Sequence, residues 1–328
     1  MKRNNLIKKC STVAIIPLFV GTGVIVSSTG TIIETKSTMP IPLGNILYVG
    51  GNGSGNYTKI QDAIDDANNG DTVFVYNGTY YEFVLINKQI TLRGEDKNNT
   101  IIEGSGTPYV AVFHVYPTGA TNVKISNFTI RNTPDYCGIS LHSSNNTITN
   151  CILYNLHGGI YVHSDNNSII NCQCYNNFVG ISINTGNNNE ISYCQCYSNE
   201  YGGITISNGN NNKISNCNIY SNIGETGKGI YMDYVNNNTI TKCNISINQI
   251  GIWSARSDGN VEKNNFIGNI RHVRLAQPWG NTWDENYWDN WIGLKINWTI
   301  FQKFPKVIVG FPWINFDWHP ALEPYDTS

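Results

Sequence analysis

A chain of 328 residues with 21 basic and 23 acidic side chains has a formal charge of −2, and its 13% charged residues are about half the usual share. Without an excess of positive charge there is no field to gather a polyanionic backbone, so nucleic-acid binding is set aside as a function. The length would hold two ordinary domains, but internal repeats merge most of it into one elongated body.

Lys2, Arg3, Lys8 and Lys9 precede an apolar run over 13–26 that Pro17 and two glycines interrupt. A charged start followed by such a run reads as a secretory signal over 1–28. The cleavage site, Val26-Ser27-Ser28, is only loosely of the small-x-small kind. A retained N-terminal anchor is the alternative, although the run is short for a full span. Either way the body is expected outside the cytoplasm, secreted or at the cell surface. Cys10 precedes the run, so no lipid attachment is indicated. Residues 29–44, with Thr, Ser, Pro40 and Pro42, read as a linker.

One helix is expected, over 59–69, opened by Thr58 with Gln61 as a capping box and closed by Gly70. Ile60, Ala63, Ile64 and Ala67 share one face. Such a helix at the head of a repeat array is expected to lie across the first coil and shield its edge. Short strands follow at 72–75, 83–86, 90–94, 100–104 and 110–115, each ended by Asn, Gly or Pro, as two irregular coils. In 122–130, Ile125 and Phe128 take the register that Ile148 and Cys151 take later.

From residue 138 one phrase recurs. A Gly-Ile pair opens units at 138, 159, 180, 203, 229 and 251, in steps of 21, 21, 23, 26 and 22 residues. Steps of this size are a solenoid signature, since no single unit can bury its apolar side alone. Three short strands per unit give an all-β, right-handed parallel β-helix over 45–270, of about nine coils and on the order of 40 Å long. Within a unit Ile139 and Leu141 point in, while Ser140 and His142 point out. Cys151, Cys172, Cys194, Cys217 and Cys243 share one inward place, and Cys174 and Cys196 another. The cysteines are expected as a packed column of free thiols, with vertical disulfides or a soft-metal site as alternatives. Asn177, Asn199, Asn222, Asn248 and Asn269 each fall five residues after that first cysteine place, which suggests an asparagine ladder. Neutral amides can stack where like charges about 4.8 Å apart would repel. Residues 271–328 hold Trp279, Trp283, Trp288, Trp291, Trp298, Trp313 and Trp318 and read as an aromatic C-terminal cap.

The stretches NYTKIQDAIDDANNGDTVFVYNGTYYE (56–82) and ITLRGEDKNNTIIEG (90–104), together with the GI…NN repeats, resemble the NosD-type right-handed parallel β-helix proteins of the pectin-lyase-like superfold. The tail NTWDENYWDNWIG (281–293) is similar to the endings of exported archaeal members. The resemblance implies the fold. It leaves the activity open, because this fold hosts lyases, hydrolases, epimerases, adhesins and proteins of no known activity. It also implies copper as the one cofactor to consider; otherwise none is expected.

A site on such a solenoid belongs on outward columns, where neighbouring coils bring distant residues together. One column holds Ser140, Tyr161, Ser182, Thr205, Tyr231 and Trp253; the next holds His142, His163, Asn184, Ser207, Asp233 and Ala255. Rings beside short polar groups suit sugars. The candidate ligand-binding residues are therefore Tyr161, Tyr231, Trp253, His142, His163 and Asp233, with His142 and His163 as candidate metal ligands and His157 in the turn nearby. Asp135, Asp165, Glu190, Glu200, Asp233 and Asp258 fall in different columns, so no catalytic constellation is visible. Sequons at Asn56, Asn77, Asn127, Asn145, Asn166, Asn237 and Asn297 are expected mostly as by-products of an Asn-rich repeat. The reading is an exported, surface-associated monomer whose partner is a polysaccharide or cell-surface glycan, with membrane contact only through an N-terminal anchor. A carbohydrate-active lyase, hydrolase or epimerase, and copper binding, are the alternatives.

Overall fold

The structure, a computed structural model, describes residues 44–105, 111–276, 280–291, 305–310 and 313–326. The signal or anchor, all of the linker except Gly44, Cys10, Trp279, Trp298 and the Asn297 sequon lie outside them.

Each coil turns through three short strands. The first face stacks Ile46–Val49, Thr72–Val75, Thr91–Gly94 and Lys124–Ser126, continues through the repeats from Thr147–Thr149 to Gly259–Glu262, and reaches Thr282–Asp284, all in parallel. That makes a right-handed β-helix of about eleven turns. The second and third faces share the long strands Thr129–Leu141 and Ile152–Val162, then separate into pairs such as Gln173–Tyr175 and Val179–Asn184. Nine coils were expected from the sequence. The two others are begun by Ile46–Val49, ahead of the helix, and by Thr282–Asp284, among the tryptophans. Trp283 and Trp288 extend two inward columns, Trp283 beside Val261 and Trp288 stacked on Phe266 at 4.2 Å, so they fill the last coil from inside. Beyond them an antiparallel hairpin, Lys306–Gly310 with Trp313–Asp317, pairs onto Trp283 through Asp317.

The repeated glycine follows from stacking. A Cβ on Gly159 would sit 2.4 Å from the Gly180 carbonyl oxygen, and one on Gly229 2.6 Å from that of Gly251, distances at which backbone has to move.

Asparagine has two jobs. Ladder asparagines are buried: Asn222 accepts from Asn199 N (2.9 Å) and Asn199 Nδ2 (3.1 Å), and donates from Nδ2 to Cys196 O (3.2 Å) and Asn248 Oδ1 (2.9 Å). The five residues expected for this ladder form it, and it ends where Asn269 Nδ2 meets His272 Nδ1, whose Nε2 faces Asp289 at 2.7 Å. A second ladder runs through Asn146, Asn167, Asn189, Asn212 and Asn238. Other asparagines sit at the corners in the left-handed region, among them Asn150 (φ 54°), Asn171 (φ 53°) and Asn216 (φ 53°), where asparagine is the best tolerated side chain. Hydrogen bonding along the stack, expected of neutral amides, accounts for the ladder contacts, whereas charge avoidance does not account for the corners.

All eight described cysteines are buried and free. Cys243 N donates to Asn264 Oδ1, and Asn264 N to Asn286 Oδ1, so the thiol column continues into a third amide ladder in the last coils.

The helix spans Ile60–Asp66, shorter than expected, and packs Ile60, Ala63 and Ile64 onto the first coils. The capping box does not form. Lys59 is the N-cap, with no side-chain bond, and both oxygens of Glu82 accept instead from Ile60 N (2.9 Å) and Gln61 N (3.1 Å). Gln61 is engaged by Leu85, which donates its N–H to Oε1 at 2.7 Å. At the other end Lys88 Nζ donates to the Ile64, Asp65 and Ala67 carbonyls. An acid at the start and a base at the end match the helix dipole.

Candidate functional site

The two outward columns expected from the sequence lie in register. Tyr161 pairs with Ser140 and Ser182, Thr205 with Ser182 and Tyr231, and Tyr231 with Trp253. Their short members are buried beneath longer neighbours: Ser140, Ser182 and Thr205 are each at most 5% exposed. Thr205 Oγ1 donates to Ser182 Oγ (2.8 Å), and Ser182 Oγ to Asn184 Oδ1 (3.1 Å). The face thus has an imidazole end, a polar saddle, and a tyrosine and tryptophan end.

At the imidazole end His142 and His163 stack at 4.5 Å, 15° from parallel, and His114 joins from the previous coil at 4.9 Å from His142. His114 was not singled out from the sequence, although it occupies the Ser140 column one coil earlier. His142 Nε2 and Ser140 Oγ share a hydrogen bond at 3.0 Å. Burial, with His142 and His163 adding their charge, pushes His114 down to about 4; burial also lowers His142 and His163. Near-parallel stacked rings aim their nitrogens side by side and not at one point. Among the described residues no group of three or more His, Cys, Asp or Glu is placed to hold a metal ion.

At the other end Tyr231 and Trp253 meet edge to face at 5.6 Å, and Tyr201 joins Tyr231 at 6.1 Å. Tyr201 continues to Phe178 (5.3 Å), and Phe178 to His157 (5.4 Å). Five rings thus run in unbroken contact across five coils, with Phe178 40% exposed. Tyr161 flanks the ridge, its hydroxyl 3.3 Å from His157 Nδ1, and burial raises its phenol. Of the five, Tyr231 and Trp253 are the ligand-binding residues expected from the sequence, and His157 was expected only in the turn near the candidate histidines. His157, Phe178 and Tyr201 each stand two residues before a Gly-Ile pair, a regularity that marks them in the sequence. Beside the ridge a groove of about 910 Å³ runs along the corner, lined by Asn132, Asn155, Asn176, Phe178 and Glu200 among others. A separate tyrosine column, Tyr154, Tyr175, Tyr197 and Tyr220, stacks within 9° of parallel at 4.8–4.9 Å, so its faces are occupied by one another.

Asp233 is committed. Arg256 binds it from Nε and Nη2 (2.8–3.1 Å), and Tyr231 OH donates to its Oδ2 (3.1 Å). Lys228, unnoticed in the sequence, is 2% exposed. Its Nζ lies 3.5 Å from the Tyr201 ring centre, 4.9 Å from Trp253 and 5.3 Å from Tyr231, and burial with the nearby Arg274 lowers its amine to about 8.

Residues 110–267 match the family model for the right handed beta helix region, in agreement with the right-handed β-helix fold. No curated protein matches it. Among solved structures it is similar to pectate lyase Pel9A (TM-score 0.54, 16% identity, covering 76% of this chain and 81% of that one). It is similar also to the lidless DFA-IIIase of Arthrobacter chlorophenolicus A6 (TM-score 0.59, 14% identity, 75% and 79%). A third match is the enzymatically active domain of bacteriophage CBA120 tailspike protein 2 (TM-score 0.59, 11% identity), which covers 80% of this chain and 44% of that one. At these identities the likeness shows the fold alone.

Proposed function

We propose that this protein is an exported β-helix that binds a polysaccharide or cell-surface glycan along its aromatic ridge. The observation that carries the reading is the unbroken series His157, Phe178, Tyr201, Tyr231 and Trp253: the first three rings stack 24–26° from parallel and the last two turn edge-on, a continuous aromatic strip with Phe178 exposed on which a sugar chain can lie along the solenoid. The corner amides of Asn132, Asn155 and Asn176 border the adjoining groove and supply donors and acceptors for hydroxyls. The similar Pel9A is a pectate lyase, which agrees with a glycan partner. Export, to the medium or the cell surface, rests on the charged and apolar start of the sequence.

Binding is favoured over turnover because Asp233, the one carboxylate of the two outward columns, is held by Arg256 and Tyr231, which leaves no pair of carboxylates in those columns to serve as acid and base. A glycan-array screen of the secreted chain, followed by titration of the best polymer, tests the reading. Phe178→Ala and Trp253→Ala are each expected to weaken binding about 5-fold, from about 1 kcal/mol per stacked ring. Absence of binding to any glycan refutes it. So does turnover of a polysaccharide that disappears in His163→Ala or Asp233→Ala, which would install the lyase, hydrolase or epimerase reading instead.

A further inference from the structure

Lys228, Arg274 and Trp253 form a knot of donors. Lys228 and Trp253 begin and centre neighbouring strands of the third face, and Arg274 pairs directly beside Trp253 in the next coil. The Arg274 guanidinium lies 4.0 Å from the indole ring centre, and the Lys228 ammonium 4.9 Å from it. Among the described residues no acceptor bonds to Lys228 Nζ or to Arg274, and Trp253 Nε1 is buried with no hydrogen-bond partner. The carboxylate of the same face, Asp233, is taken up by Arg256. Among the described residues two cations therefore flank an indole whose N–H is unpartnered, and no carboxylate bonds to either cation. Burial of an ammonium without a hydrogen-bonded partner is unfavourable, and ring faces compensate it only in part. An anion placed between these groups would complete all three.

We propose that this knot is the seat of one anionic group, a carboxylate or a sulfate ester, on an acidic polysaccharide lying along the ridge. The proposal rests on the glycan reading above and names the class of glycan. Arg274, the exposed member, meets the anionic group at the surface. Its side chain swings off the indole, and the group then accepts from Trp253 Nε1 and Lys228 Nζ while a sugar ring rests on the neighbouring aromatics. Lys228 orients and charges the subsite and takes part in no bond making or breaking.

The test uses the full chain and three polymers of matched length: polygalacturonate for the carboxylate, dextran sulfate for the sulfate, and unmodified dextran as the neutral control. Titrations at two salt concentrations compare the native chain with Arg274→Gln and Lys228→Met. Arg274 is exposed, so its variant folds whatever becomes of the buried lysine, and a melting curve checks Lys228→Met. The expected result is that one acidic polymer binds at least 10-fold more tightly than dextran, and that each variant erases this preference while leaving any dextran binding unchanged. In 15N spectra of the side-chain amines the Lys228 resonance should shift with the acidic polymer and stay in place with dextran. Which acidic polymer binds identifies carboxylate or sulfate. Equal binding of acidic and neutral polymers, or an undiminished preference in Arg274→Gln, overturns the anion seat and leaves the glycan reading standing. Failure of every polymer here, with a blank glycan array, overturns both.

Discussion

Replacement of Asn222 by alanine isolates the force that holds consecutive coils together. The side chain is fully buried, and four hydrogen bonds are lost with it: two accepted from Asn199, one donated to Cys196 O and one donated to Asn248 Oδ1. Asn199 Nδ2 retains the Cys174 carbonyl, and Asn248 Oδ1 retains the Asn222 N–H. The Asn199 N–H has no substitute, and a buried orphan donor costs about 1–3 kcal/mol. Adding the net loss of the other bonds brings the expected cost to about 3 kcal/mol. For a chain of this size that is a fall in Tm of roughly 4–5 °C. The control is Asn211→Ala, an exposed corner residue with φ 56°, where the strain of alanine in the left-handed region is about 1–2 kcal/mol. Thermal unfolding followed by far-UV circular dichroism compares the two. Equal shifts would mean that Asn222 is only another turn asparagine and that the ladder adds nothing to coil stacking.

Acid should destabilise the imidazole end. The folded-state pKa of His114 is about 4, below the ordinary histidine value near 6.5, so the unfolded chain takes up its proton first as pH falls. This contribution to stability is complete above about pH 6.5 and is lost as pH drops towards 4; His142 and His163, also lowered, act in the same direction. A Tm profile across that window should flatten in a His142→Gln/His163→Gln variant, and a profile that rises on acidification would contradict the assignment. Thiol reagents should label none of the eight buried cysteines in the folded chain and all of them in guanidinium; rapid labelling of Cys172 or Cys194 under native conditions would place the column elsewhere. Glu82→Gln keeps one acceptor oxygen and should cost less than Glu82→Ala, which strips both N–H partners from the helix start for about 1 kcal/mol; denaturant unfolding that ranks the two the other way would remove Glu82 from the capping role.

The repeats, the inward isoleucines, the thiol column and the asparagine ladder could all be read from residue spacing. Each coil repeats its neighbour by translation, so a residue's place in one unit assigns its counterpart in the next, and alternation along a strand separates inside from outside. The candidate columns were legible for the same reason, and the register of Tyr161, Tyr231 and Trp253 follows from it. What spacing could not supply lies where translation fails. The terminal coils begun by Ile46–Val49 and Thr282–Asp284 carry no Gly-Ile phrase, and the helix cap depends on Glu82, 21 residues beyond Gln61 and one coil away. The ridge and the Lys228 knot depend on how long side chains lean across columns, a matter of rotamers that backbone register leaves open. The sequence by itself therefore determined the stacked interior, through a local periodicity that each coil reimposes on the next. Only the tertiary structure decided which outward rings touch, which carboxylate is tied to arginine, and which lysine lies buried without an acceptor, because those contacts join residues that no period relates.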